Sequence, residues 1–198
     1  VYRLFKRVSA FDIGLMALGA ALNVSVGYLV NLFKLPFFLD SIGTVLITAL
    51  CGWGYGVAVG VSGVLILAIT ANPTVIAYVG TSFVIATVAA LLIRIGFLKT
   101  VRMTILGGIV LGIVSSASSA PVTTLLYGGV SLAGSDAITA FLKAFGLPLW
   151  KSVLISSVMT DVFDKVCTGI ICFMLIRSLP ARLLARIKGT VDSSAERL

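Results

Sequence analysis

The amino-acid sequence points to an all-α integral membrane protein, a bundle of six transmembrane helices with both termini in the cytoplasm. Three observations carry this expectation. Of 198 residues, 59% are hydrophobic and only 11% are charged, whereas a soluble domain carries about a quarter charged residues, so a soluble enzyme is close to excluded. Six apolar runs, at 12–33, 37–51, 55–71, 75–98, 104–127 and 149–176, approach the roughly 20 residues that a helix needs to cross the hydrocarbon core. The cations are also distributed unequally over the connections between those runs.

Arg3, Lys6 and Arg7 precede the first run, and no A-x-A-like site follows a short apolar stretch. The run is therefore expected to stay as a span and not to be removed as a signal peptide. The second and third runs are short and separated only by Gly52-Trp53-Gly54, which reads as a tight helical hairpin. Arg94 closes the fourth run, and Lys99 and Arg102 separate it from the fifth. The connection 128–148 carries Gly128, Gly129, Gly134 and Gly146, and connections of that length often serve as lids or binding loops. Its apolar piece, 137–145, is expected to form a short interfacial helix. Arg177, Arg182, Arg186 and Lys188 follow the sixth run, and the polar tail 189–198 is expected to fray from a single membrane domain, 1–188.

Ten of these cations fall on one side, against Lys34, Lys143 and Lys151 on the other. The positive-inside rule then places both termini in the cytoplasm. Most of the formal charge of +8 is thereby a topology signal and not the footprint of a nucleic-acid partner. The basic rim also favours anionic membrane lipid.

His is absent, which removes the commonest metal ligand and near-neutral proton carrier. Cys51, Cys167 and Cys172 lie in or beside apolar runs without zinc-type spacing and read as buried reduced thiols. Neither a metal nor a cofactor is expected. No nucleophile–base pair, HExxH, P-loop or dinucleotide fingerprint is present, so the chain is not expected to be an enzyme or to hydrolyse ATP by itself.

Ionisable groups at membrane depth are expensive and mark functional sites by default. Asp161, Asp164 and Lys165 stand at i, i+3 and i+4 in the sixth run, on one helix face, with Asp161 roughly 15 Å from the outer start of its span at 1.5 Å per residue. They either contact a ligand or clamp neighbouring helices. Asp40, near the outer end of the second run, either caps a helix start or contacts a ligand. The fifth run carries Ser115, Ser116, Ser118, Ser119, Pro121, Thr123 and Thr124. Such a stretch can interrupt a helix and line a cavity, or simply pack closely with back-bonded hydroxyls. Asn72, Tyr78, Thr81 and Tyr127 lie near outer ends, where polar aromatics are also ordinary interface anchors; Asn23 and Asn31 are similarly ambiguous. Gly52, Gly56 and Gly60, and Gly108 with Gly112, are spaced for close helix approach. Ala17 and Ala21, with Gly14 a turn earlier, form a smooth strip on the first span.

Taken together, Ala17-x-x-x-Ala21, Leu35-Pro36-Phe37-Phe38-Leu39-Asp40-Ser41-Ile42-Gly43-Thr44, Gly52-Trp53-Gly54-Tyr55-Gly56, and Asp161-x-x-Asp164-Lys165 ahead of Leu179-Pro180 resemble the S components of energy-coupling factor (ECF) transporters, over nearly the whole chain. The resemblance implies six helices that capture a vitamin, vitamin precursor or similar micronutrient in an outward-facing pocket in a prokaryotic cell membrane. It also implies docking, through the Ala17/Ala21 strip, onto a membrane coupling subunit driven by two cytoplasmic ATPase subunits. The ligand would lie under the outer loops, where the candidate contacts are Asp40, Asn72, Tyr78, Ser115, Ser119, Thr123, Tyr127, Asp161, Asp164 and Lys165. Carboxylates, a lysine, hydroxyls and Tyr or Trp stacking would suit a small polar heterocycle. Two other classes remain open: a membrane sensory or structural module, and an ion-coupled secondary transporter.

Overall fold

The computed structural model describes residues 9–131, 133–184 and 187. Arg3, Lys6, Arg7, Arg186, Lys188 and the tail 189–198 lie outside the described residues, as do the readings placed on them. The described chain is all-helical: α1 (Ala10–Leu32), α2 (Ile42–Cys51), α3 (Trp53–Thr70), a 3-10 turn (Pro73–Tyr78) that runs into α4 (Val79–Arg94), α5 (Val101–Tyr127), α6 (Asp136–Ala144) and α7 (Leu149–Ser178). Four helical segments are long and apolar enough to cross a membrane: Ala10–Leu32, Trp53–Thr70, Pro73–Arg94 and Val101–Tyr127.

Local chemistry sets the boundaries. Ser9 and Asp12 form a capping box at the start of α1, Asp12 N–H donating to Ser9 Oγ at 3.1 Å and Ser9 N–H to Asp12 Oδ2 at 3.0 Å. Thr100 caps α5 in the same way from one side, and Asn72 caps the 3-10 turn ahead of Pro73. The hairpin between α2 and α3 turns on Gly52, whose φ of +104° is open to glycine and strained for other residues. The piece expected at 137–145 is α6, at Asp136–Ala144.

Two expectations are corrected, on the second run and on the thiols, and the alternative left open at Pro121 is decided. The second run, 37–51, is helical only from Ile42. The residues before it form a connection outside any helix, with Leu39 at φ +49°, and the N–H groups of Phe38 and Leu39 are taken by Asp164 of α7. Pro121 does not interrupt α5, which continues unbroken to Tyr127. Its ring is on the exposed face, and neighbouring hydroxyls bond back to the preceding turn, as in Thr124 Oγ1 to Ala120 O at 2.8 Å and Ser118 Oγ to Ser115 O at 2.8 Å. Of the three thiols only Cys172 is fully buried; Cys51 and Cys167 are half-buried.

The helices approach closely where side chains are small. α5 and α7 share the largest interface, and a methyl group at Gly112 would lie 2.5 Å from Val162 Cα, one at Gly108 2.7 Å from Val166 Cα. Gly56 packs on Thr48, Gly60 on Thr44 and Ser82, and Gly63 on Asn23. Asn23, buried on the inner face of α1, donates to Thr44 Oγ1 at 2.9 Å and accepts Gly43 N–H at 2.7 Å. It thereby satisfies one of the orphan N–H groups of α2 from a neighbouring helix. The exposed surface is rich in large apolar side chains, among them Leu18, Ile69, Leu106, Leu125 and Phe163, as a lipid-facing surface requires.

Replacing Asn23 by Leu keeps the volume but leaves Gly43 N–H and the Thr44 hydroxyl without that partner. An unsatisfied buried polar group costs about 1–3 kcal/mol. Asn23→Leu is expected to lower the unfolding temperature in detergent by several degrees; a temperature equal to that of the parent chain counts against this capping role.

Candidate functional site

α7 is a 30-residue helix whose inner face is polar. Ser152, Ser156, Thr160, Asp164 and Thr168 recur every four residues, Asp161 and Lys165 run beside them, and all seven are buried. Its outer face carries the exposed Leu154, Ile155, Met159, Phe163 and Met174. The helix is thus apolar toward its surroundings and polar toward the bundle.

The ionisable triplet divides into two roles. Asp164 is fully engaged: Oδ1 accepts the N–H groups of Phe38 at 3.0 Å and Leu39 at 2.5 Å, and Oδ2 is ion-paired with the Lys165 ammonium. It stitches the connection before α2 to the middle of α7. Asp161 and Lys165 instead line a cavity. Asp161 Oδ2 accepts the Ser119 hydroxyl at 3.1 Å, whereas Oδ1 has no hydrogen-bond partner among the described residues. An ammonium has three donors, and Lys165 commits one of them to Asp164.

The cavity, of about 120 Å³, lies where the connections α1–α2, α3–α4 and α5–α7 meet. Asp40 lines it. Asp40 does not cap α2: Ser41 is the N-cap residue, without a side-chain cap bond, and Asn23 supplies the acceptor. From α5, Ser115, Ser119 and Thr123 present one face at i, i+4 and i+8. Thr123 spends its single proton on Ser119 O at 3.1 Å, so the Tyr78 hydroxyl donates to Thr123 Oγ1 at 2.8 Å.

The roof is stapled together by backbone and side-chain bonds. Asn72 accepts Thr74 N–H at 3.1 Å and donates to Ser131 O at 3.2 Å. Asp136 Oδ1 accepts both the N–H and the hydroxyl of Ser131, at 3.2 and 3.0 Å. Ser156 donates to Ser135 O at 3.0 Å. Gly134 packs directly on the Lys34 and Leu35 carbonyls, with no room for a side chain. The stretches 128–131 and 133–135 are therefore tied over the cavity mouth by the α3–α4 connection, by α7 and by the segment after α1.

Of the ten ligand candidates, the structure brings eight to the cavity: Asp40, Asn72, Tyr78, Ser115, Ser119, Thr123, Asp161 and Lys165. Asp164 sits behind it as a clamp. Tyr127 stands outside the lining, donating to Thr74 O at 2.7 Å with its ring 6.2 Å from that of Tyr78. The aromatic lining is Phe37, Phe38 and Tyr78; the expected Trp stacking is not there, since Trp53 bonds Thr87 on α4 at 3.0 Å and Trp150 is exposed. Ser41 and Thr81 were not among the candidates, yet both line the cavity with buried hydroxyls that have no hydrogen-bond partner among the described residues. The four-residue polar repeat of α7 is the sequence signal that would have added Ser156 and Thr160. Ala17 and Ala21 are exposed, while the inner face of α1 is Gly19, Asn23, Gly27 and Val30. No group of His, Cys, Asp or Glu suited to a metal occurs among the described residues. Comparison with protein-family models, with curated proteins and with solved structures finds no match.

The two carboxylates of α7 should respond oppositely to neutralisation. Asp164→Asn breaks a buried ion pair, a change that costs about 3–5 kcal/mol, and is expected to lower the unfolding temperature sharply. Asp161→Asn keeps an acceptor for Ser119 and removes a half-satisfied carboxylate, so thermal stability should be unchanged or higher. Equal losses in the two variants, measured by thermal unfolding in detergent, count against the division of roles.

Proposed function

We propose that the chain is the substrate-binding membrane subunit of an ECF-type importer, which captures a small polar molecule, a vitamin or vitamin precursor, from outside a prokaryotic cell. The single observation that carries this reading is the cavity roofed by three connections and floored by Asp161 and Lys165. A polar floor at membrane depth is costly unless it meets a ligand, and unpaired hydroxyls point the same way.

In this reading the membrane contains six spans and both termini are cytoplasmic. The segment 37–41 and α2 together make the short second span. α7 makes the sixth because its charges are turned inward and its outer face is apolar. Among the described residues, Arg94, Lys99, Arg102, Arg177 and Arg182 gather at the end opposite the cavity, which supports an outward-facing mouth by the positive-inside rule. The chain performs no chemistry on its cargo; delivery is driven by two cytoplasmic ATPase subunits through a membrane coupling subunit. The exposed Ala17/Ala21 strip is the docking face for that subunit, since helices slide and pack closely only where side chains are small.

Buried carboxylates also serve ion-coupled transporters, so uptake driven by an ion gradient in vesicles free of any ATPase would favour that second reading. Native mass spectrometry of gently purified protein is expected to show a retained small molecule. Asp161→Asn and Lys165→Met should weaken its binding at least 10-fold, about 1.4 kcal/mol, as read by ligand-induced thermal shift; unchanged shifts in both variants sink the site. Ala17→Trp and Ala21→Trp should leave that shift intact and abolish co-purification with the coupling module. Co-purification at the parental level would remove the docking role.

A further inference from the structure

Resting on that reading, the charge inventory of the cavity narrows the class of molecule it takes. The titratable carboxylates in the lining are Asp40, Asp136 and Asp161, and the only cation there among the described residues is Lys165. Lys165 is already ion-paired, with Asp164, and feels Asp40 and Asp161 through space without a further ion pair to either. The other cations at this end, Lys34, Lys143 and Lys151, are exposed. Asp136 has its own compensation in the Ser131 donors and the first turn of α6. Asp40 and Asp161 have no cation of their own, although the chain as a whole carries +8.

A buried carboxylate and a half-buried one that exceed the available ammonium are poorly stabilised away from bulk water. A second observation supports assigning the surplus to a ligand site and not to an acidic cluster alone. The Ser41 and Thr81 hydroxyls, 3% and 8% exposed by residue, line the same cavity and are left without partners. Phe37, Phe38 and Tyr78 add aromatic faces, which attract cations by their quadrupole. We infer that the cavity selects a small organic cation, a planar or compact amine or amidine, whose N–H groups bond Asp40 and Asp161 and whose charge replaces the missing counter-ion.

Three isosteric probes isolate the charge: benzamidine (cation), benzamide (neutral) and benzoate (anion). They are titrated into the purified full chain in detergent at neutral pH, with binding read by calorimetry and thermal shift. Benzamidine should bind at least 10-fold more tightly than benzamide, and benzoate should give no shift. In Asp161→Asn and in Asp40→Asn that preference should fall below about 3-fold; the parent-chain comparison stands even if one variant fails to fold. Equal binding of the three, or a preference for benzoate, overturns the cation assignment and leaves the capture function in place. The assignment also falls if no probe binds and native mass spectrometry shows a retained neutral or anionic molecule. If no probe binds and nothing is retained, both the cation assignment and the capture function fail.

Discussion

The Asp164 carboxylate holds together what the rest of the site depends on. It is wholly buried on α7, yet it bonds two successive backbone N–H groups on a connection more than a hundred residues away in the chain, as well as the adjacent lysine. Without helix or strand partners, those backbone donors would be orphaned inside the bundle, and buried orphan donors are rare in folded proteins. By accepting them, Asp164 permits a non-helical segment inside the helical bundle. That segment brings Phe37, Phe38, Asp40 and Ser41 to the cavity wall; a continuous helix from residue 37 would leave no such wall.

The same carboxylate orients Lys165. Adjacent helix residues do not normally face one another, and the pairing draws the ammonium back along its own helix. The cavity then presents one lysine that is already ion-paired and two aspartates, Asp40 and Asp161, without an ion-pair partner among the described residues. The Ser119 hydroxyl of α5 softens the contrast by donating to Asp161. The arrangement sacrifices stability for an open, polar volume, as sites built for ligands commonly do.

Packing elsewhere is arranged around that volume. Glycines on α3 and α5 allow backbones to approach, Gly108 and Gly112 against α7 and Gly60 against Thr44 and Ser82, so that the bundle is tight away from the cavity. Asn23 does for α2 what Asp164 does for the segment ahead of it: a side chain from another helix satisfies a helix start that has no cap of its own. The roof is made of short polar bonds between connections, through Asn72, Ser131, Asp136 and Ser156. Such bonds can open at modest cost because each is worth about 1 kcal/mol net.

The helical membrane-type architecture was legible from the chain, because hydropathy is a local property summed along the sequence and four helices long enough to span carry it plainly. The placement of Asp161, Asp164 and Lys165 on one face of a long helix was legible from their spacing, and so were most residues of the cavity wall, since they are polar groups near one end of apolar runs. Their division of labour was not. Whether Asp40 caps a helix or faces a cavity, whether Asp164 meets a ligand or a backbone, and whether Pro121 breaks α5 or rides on its surface all turn on which atoms lie within about 3 Å across helices far apart in sequence. Hydrogen bonds are that short in range and that directional. Periodicity names the face on which a polar residue stands, and only the packed bundle supplies the partner it finds there.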